Sequence, residues 1–200
     1  MSKGKPASAR ALIVEIIASS LEGIPSLEWV IERARNKPAA LVAVAEYLHD
    51  YSSLRKGVYL SSDKAGVLLM YNASVNAPIV ASFVLKLKLL VRCVGIRRAI
   101  LVLQRSKYIH KHHPRNRQFL HVQYFGVKPG TRGIGSALEL KNLVENKCRE
   151  MNLPAYLETT QEQNRRVYER YGFRVFHEFQ FKNSGFTTWM MRKENNFDVQ

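Results

Sequence analysis

Between Lys64 and Leu138 the chain holds no Asp and no Glu, while Lys86 to Arg117 alone contributes ten Lys or Arg residues. Acid is scarce throughout, at 16 residues against 31 basic ones, for a formal charge of +15. This imbalance argues against lysine-rich substrates and leaves three uses for the basic surface. It can be a solvated face that keeps the protein dispersed, a means of steering a small phosphorylated ligand, or a seat for a polyanion such as nucleic acid or an anionic membrane surface. Cysteine is nearly absent too: Cys93 and Cys148 lie far apart in unrelated contexts, the pattern of two reduced thiols in a cytoplasmic protein rather than of a disulfide. Long apolar runs are missing. The longest, Ala77 to Leu85, is too short to cross a bilayer and is followed at once by Lys86, Lys88 and Arg92. No apolar core of signal-peptide length precedes Glu15, so export is not expected. Repeats and low-complexity segments are also lacking. What remains is 200 residues at 46% hydrophobic content, enough for one compact domain with an ample core.

Periodicity places the elements. Ala9 to Leu21 and Pro38 to Tyr51 read as helices, the second with Leu41, Val44, Ala45 and Leu48 on one face. Gly57–Ser61 and Gly66–Tyr71 read as a hairpin. Two basic helical stretches follow, Ala77 to Val94 and Ile96 to His110, joined near Gly95, and then a loop from His110 to Asn116. The alternating run Phe119 to Val127 is a strand candidate. It leads through Val127-Lys-Pro-Gly-Thr-Arg-Gly-Ile-Gly-Ser-Ala-Leu138 into a helix whose apolar residues Ala137, Leu140, Val144, Cys148 and Met151 fall three or four apart. Strand, glycine-rich turn and helix start make an anion cradle: Gly130, Gly133 and Gly135 allow a tight turn, and the first helical amides, unpaired and at the positive end of the dipole, can meet phosphate oxygens. Glycines also simply end strands, so this segment alone does not decide the matter.

A second motif does more. Ala155-Tyr-Leu-Glu-Thr-Thr160 reads as a strand, followed by a short helix from Gln161 that carries Asn164 and Tyr168 on one face and closes at Gly172-Phe173, with two further strands over Arg174–Phe181 and Phe186–Met191. The two motifs in this order and spacing, from about Gln118 to Arg192, resemble the acetyl-CoA-dependent N-acetyltransferases of the GNAT superfamily. The glycine loop departs from the family pattern Q/R-x-x-G-x-G/A. Arg132 is followed directly by Gly-Ile-Gly, which makes the loop two residues shorter but keeps Gly133 and Gly135 as the amide-bearing pair.

The resemblance implies an α/β (α+β) fold: a mixed, mostly antiparallel sheet flanked by helices on both faces. It implies one domain over residues 1–200, with 1–115 a variable acceptor-side half and 116–193 the acetyl-CoA-binding core. The reaction implied is transfer of an acetyl group from acetyl-CoA, as co-substrate and with no metal, to the amine of a small molecule by direct attack. CoA contacts would fall to the backbone of Phe125 and Val127, to Arg132, Gly133, Ile134, Gly135 and Ser136 in the loop and helix start, and to Asn164. Catalytic roles would fall to Glu158 as general base, directly or through water, and Tyr168 as proton donor to the departing thiolate. The competing readings are an ion-paired carboxylate for Glu158, a core phenol for Tyr168 and a cap for Asn164. Trp29, Tyr47, Tyr51 and Tyr71 would line the acceptor pocket, or the core. His110, His112, His113 and His121 match no familiar metal spacing and read as part of a basic loop. Neither cysteine has a local His partner, so an acetyl-cysteine route has no support. The alternative from another class is a non-catalytic protein of the same fold that holds nucleic acid or another polyanion. Monomer and homodimer are equally open.

Overall fold

The computed structural model describes residues 8–131, 134–182 and 184–195, with the backbone alone at 94–97. Helix α1 (Ala9–Ser20) opens where the Ser8 hydroxyl accepts the Ala11 amide, and α3 (Lys37–Ser53) where the Asn36 side chain accepts that of Ala39. Between them lies α2 (Pro25–Ile31), a helix that begins on proline and is too short for its periodicity to show in the sequence. The two basic stretches become α4 (Ile79–Leu89) and α5 (Gly95–His112), joined by a π-helical turn over Leu90–Val94 rather than by a break. Because α5 runs on to His112, the expected loop from His110 shrinks to residues 113–116.

The remaining elements are β1 (Val58–Leu60), β2 (Gly66–Asn72), β3 (Leu120–Val127), α6 (Ile134–Met151), β4 (Ala155–Thr159), α7 (Glu162–Arg170), β5 (Arg174–Gln180) and β6 (Thr187–Lys193). The strands form one six-stranded sheet in the order β1-β2-β3-β4-β6-β5. Only β3 and β4 run parallel; every other neighbouring pair is antiparallel. This is the mixed, mostly antiparallel sheet between helices that the motifs imply.

Strand β2 shows why the sheet must be covered on both sides. Val67 and Leu69 pack with Ile13, Ile17 and Val44 of α1 and α3, while Leu68 and Met70 pack with Leu140, Val144 and Cys148 of α6. Both faces are dry, so the strand reads as one apolar run instead of an alternation. Met151, expected on the buried face of α6, is exposed, because the helix ends there beyond the sheet. Cys93 and Cys148 are both buried and unpaired, on opposite faces of the sheet. No helix among the described residues is long and apolar enough to cross a membrane.

Candidate active site

The site begins where two parallel strands part. Pairing between β3 and β4 stops after Leu120↔Ala155 and His121↔Tyr156, although β3 continues to Val127 and β4 to Thr159. The gap is a cavity of about 400 Å³ walled by Phe125, Gly126 and Val127 on one side and by Glu158 to Gln161 on the other, with Asn164 and Tyr168 of α7 beside them. Thr160 closes one end by donating its hydroxyl to Ser26 Oγ at 3.1 Å, and Gln161 donates to the Gly23 carbonyl at 3.4 Å.

A β-bulge shapes the β3 wall. Leu69 pairs with Tyr124 and Met70 with Val122, so Gln123 is the extra residue. Ahead of it Leu120 and Val122 face α6; beyond it Tyr124 faces α1 and Phe125 faces the α6 side. The bulge therefore turns both Gln123 and Tyr124 toward the cavity. Each is then fixed: Gln123 Oε1 accepts the Ser52 hydroxyl at 2.9 Å, and the Tyr124 hydroxyl bonds Ser20 Oγ. Tyr124 lies so close over Gly126 that a Cβ there would stand 2.1 Å from the phenol oxygen.

Glu158 stands on the shared wall between this cavity and a second one of about 600 Å³. Alternation along β4 decides its direction: Ala155 and Leu157 face α6, so Tyr156 and Glu158 point the other way. Its Oε2 accepts from His121 Nε2 at 3.0 Å, and His113 Nε2 stands 2.8 Å from its Oε1. His121 Nδ1 in turn meets the Tyr71 hydroxyl at 3.0 Å. Burial alone would raise the Glu158 pKa, but the charge and hydrogen bonds of His121 and His113 outweigh it and hold the carboxyl far below its usual range. Arg105 reaches the first cavity from α5, giving Nη2 to Thr188 Oγ1 at 3.2 Å while its buried Nε has no partner.

The structure brings together Phe125, Val127, Glu158, Asn164 and Tyr168 around one cavity. Asn164 donates to Gln161 Oε1 at 2.7 Å, and the Tyr168 ring packs edge-on to Phe125 and Phe173. Arg132 and Gly133 lie outside the described residues. Ile134 and Gly135 are exposed at the start of α6, and a Cβ on Gly135 would meet nothing within 4 Å. Ser136 is buried, with its hydroxyl given to Asp63 Oδ2 at 2.5 Å. Tyr47, Tyr51 and Tyr71 line the second cavity. Trp29 does not; it packs edge-on against Phe181 and Phe186 under the Arg98 guanidinium, where α2 closes over the end of the sheet.

The histidines need the largest correction. Reading them as a basic loop separated His113 from His121, whereas the fold sets both against one carboxylate. Alternation in β3 could have found His121, since it lies between the α6-facing Leu120 and Val122. Nothing local marks His113, which arrives from the end of α5, or Gln123, which depends on the bulge. Among the described residues no group of three or more His, Cys, Asp or Glu is arranged to hold a metal ion.

A parallel strand pair that parts beside a glycine-rich helix start, with a tyrosine helix lining the gap, is the arrangement that the resemblance to GNAT acetyltransferases implies. Residues 105–195 match the family model described as an acetyltransferase (GNAT) domain. Solved structures match over nearly the whole chain. A histone acetyltransferase HPA2 and related acetyltransferase from Corynebacterium glutamicum is 17% identical, with a TM-score of 0.64 over 98% of this chain and 96% of that one. Arylalkylamine N-acetyltransferase 2 from Aedes aegypti is 16% identical, with a TM-score of 0.58 over 96% and 98%. The C-terminal condensation domain of Ebony, in complex with beta-alanyl-dopamine, is 13% identical, with a TM-score of 0.62 over 92% and 93%. At these identities the likeness is one of fold. No curated protein sequence matches the chain.

Proposed function

We propose that the protein is an N-acetyltransferase that passes an acetyl group from acetyl-CoA to the amine of a small molecule by direct attack in a ternary complex. The observation that carries this reading is the meeting of two cavities at Glu158, one opened by the parting of β3 and β4 and the other walled by α3, α5 and β2. Two separate chambers sharing one wall suit two substrates held at once. The chain fits the donor: residues 122–127 leave their β4-facing backbone groups without a strand partner, and the exposed start of α6 presents amides to phosphates. When bound, acetyl-CoA supplies the thioester carbonyl.

The chain's own groups divide the remaining work. Glu158, bracketed by His113 and His121, takes the proton from the attacking amine directly or through water. Glu158, held strongly ionised, orients the imidazoles as much as it accepts. The β3 backbone beyond the bulge offers N–H groups to the carbonyl oxygen. Tyr168 presents its O–H to the leaving sulfur; the N–C bond forms, the C–S bond breaks, and the sulfur leaves protonated. Calorimetric titration with acetyl-CoA, followed by a thiol-release assay over a panel of amines, tests the reading. Saturable one-to-one binding and amine-dependent thiol release are expected, and failure to bind acetyl-CoA overturns it.

A further inference from the structure

The second cavity has a strongly one-sided charge. Arg55, Lys86, Arg115 and Arg117 line it, and among the described residues its only carboxylate, Glu158, is already engaged by His113 and His121. Among the described residues none of these four cations pairs with a carboxylate. Arg55 is the most enclosed of them: its guanidinium lies 4.5 Å from the ring centres of both Tyr51 and Tyr71, and its Nε is buried without a hydrogen-bond partner. Arg117 is steadied by Asn76, which accepts its Nη1 at 2.8 Å. The path from Glu158 to Arg55 runs through His121 and Tyr71, so the two ends of the chamber stand an imidazole and a phenol apart.

We propose that the acceptor is an amine that also bears an anionic group, carboxylate or phosphate, with its nitrogen at Glu158 and its anion at Arg55 and the rim arginines. The inference rests on the acetyltransferase reading and names the substrate class of that site. A desolvated guanidinium with an open donor gains most from a charged acceptor, and the fork of an arginine suits either anion. The same cations disfavour a second positive charge in the chamber. They repel polyamines and lysine-rich peptides, and they favour the neutral form of the bound amine, the form that attacks.

The test is calorimetric titration of the full chain with phosphoethanolamine, L-aspartate, tyramine and spermidine, for the wild type, Arg55→Gln and the exposed-rim variant Arg117→Gln, with folding checked by circular dichroism. Acetyl-CoA is titrated separately. We expect at least one of the two anionic amines to bind saturably and more tightly than tyramine or spermidine, and to weaken about 10-fold or more in Arg55→Gln or, should that variant not fold, several-fold in Arg117→Gln. Which anionic amine binds separates carboxylate from phosphate. The proposal falls if neither binds, if tyramine or spermidine binds more tightly, or if neither folded variant weakens anionic binding. Acetyl-CoA binding that persists in those cases shows that this inference failed alone; its absence shows that the acetyltransferase reading failed with it.

Discussion

Tyr168 keeps a phenol among apolar neighbours, and among the described residues its hydroxyl makes no hydrogen bond. Burial raises its pKa, with Tyr124 and Tyr171 adding to the effect, so the group holds its proton firmly, as the proposed donor role requires. Tyr168→Phe keeps the ring and removes only the donor. It should lower kcat about 100-fold or more while leaving the acetyl-CoA dissociation constant within a few-fold of wild type. Equal losses in both would assign Tyr168 to binding. This residue was legible in the sequence because the Asn164 and Tyr168 spacing is a property of a single helix turn. His113 was not legible, because its partner lies 45 positions further on, in a different strand, and only the packing of α5 against the sheet joins them.

At the scale of elements, the turn between β1 and β2 is fastened to the first turn of α6. Asp63 accepts the Ser136 and Ser61 hydroxyls and the Ala65 amide, which together hold its carboxyl down to about 2 from an ordinary 3.8. A depressed carboxyl contributes stability above its unfolded pKa and loses that contribution as pH falls through the folded one. The melting temperature of Asp63→Asn should therefore lie below wild type by a constant margin from about pH 5 upward, and the margin should close between about pH 4 and pH 2. A margin that persists at pH 2 would mean that Asp63 acts through shape and not through charge. The bulge in β3 makes a second prediction. Gly126→Ala sets a methyl against Tyr124, so one of the two must move, at about 1–3 kcal/mol or a fall of about 3–10 °C in Tm. Adding Tyr124→Ala should cost less in that background than in wild type, a non-additivity that reports the contact. Helices α6 and α7 were readable because α6 carries a clean apolar period and α7 closes at Gly172. The bulge was not readable, since Leu120 to Tyr124 alternate straight through Gln123, the extra residue.

At the scale of the molecule, charge was the plainest sequence signal and the hardest to assign. Of the lysines and arginines whose side chains are described between Lys86 and Arg117, only Arg92 and Arg98 pair with carboxylates, those of Glu46 and Glu32. On the proposed reading the other described cations draw a phosphorylated donor and an anionic acceptor toward the site. Raising salt from about 50 to 300 mM should then lower kcat/KM several-fold with kcat nearly constant, since the screening length shrinks below the reach of that field. Salt-independent kcat/KM would return these residues to the role of a solvated face. The mixed, mostly antiparallel character of the sheet came from the resemblance rather than from composition, and its strand order was legible in neither, because only the register of distant strands creates it. One consequence of the shared wall concerns descent rather than chemistry. The proposed acceptor chamber draws on residues 47 to 123 and Glu158, the proposed donor chamber largely on 123 to 168 and the α1–α2 corner, and among the described residues the two have only Ile109, Gln123 and Glu158 in common. On that reading, drift in residues 47 to 122 can alter the acceptor while most of the donor side stays fixed. Those three positions, answerable to both chambers, are where lineages with different acceptors should agree.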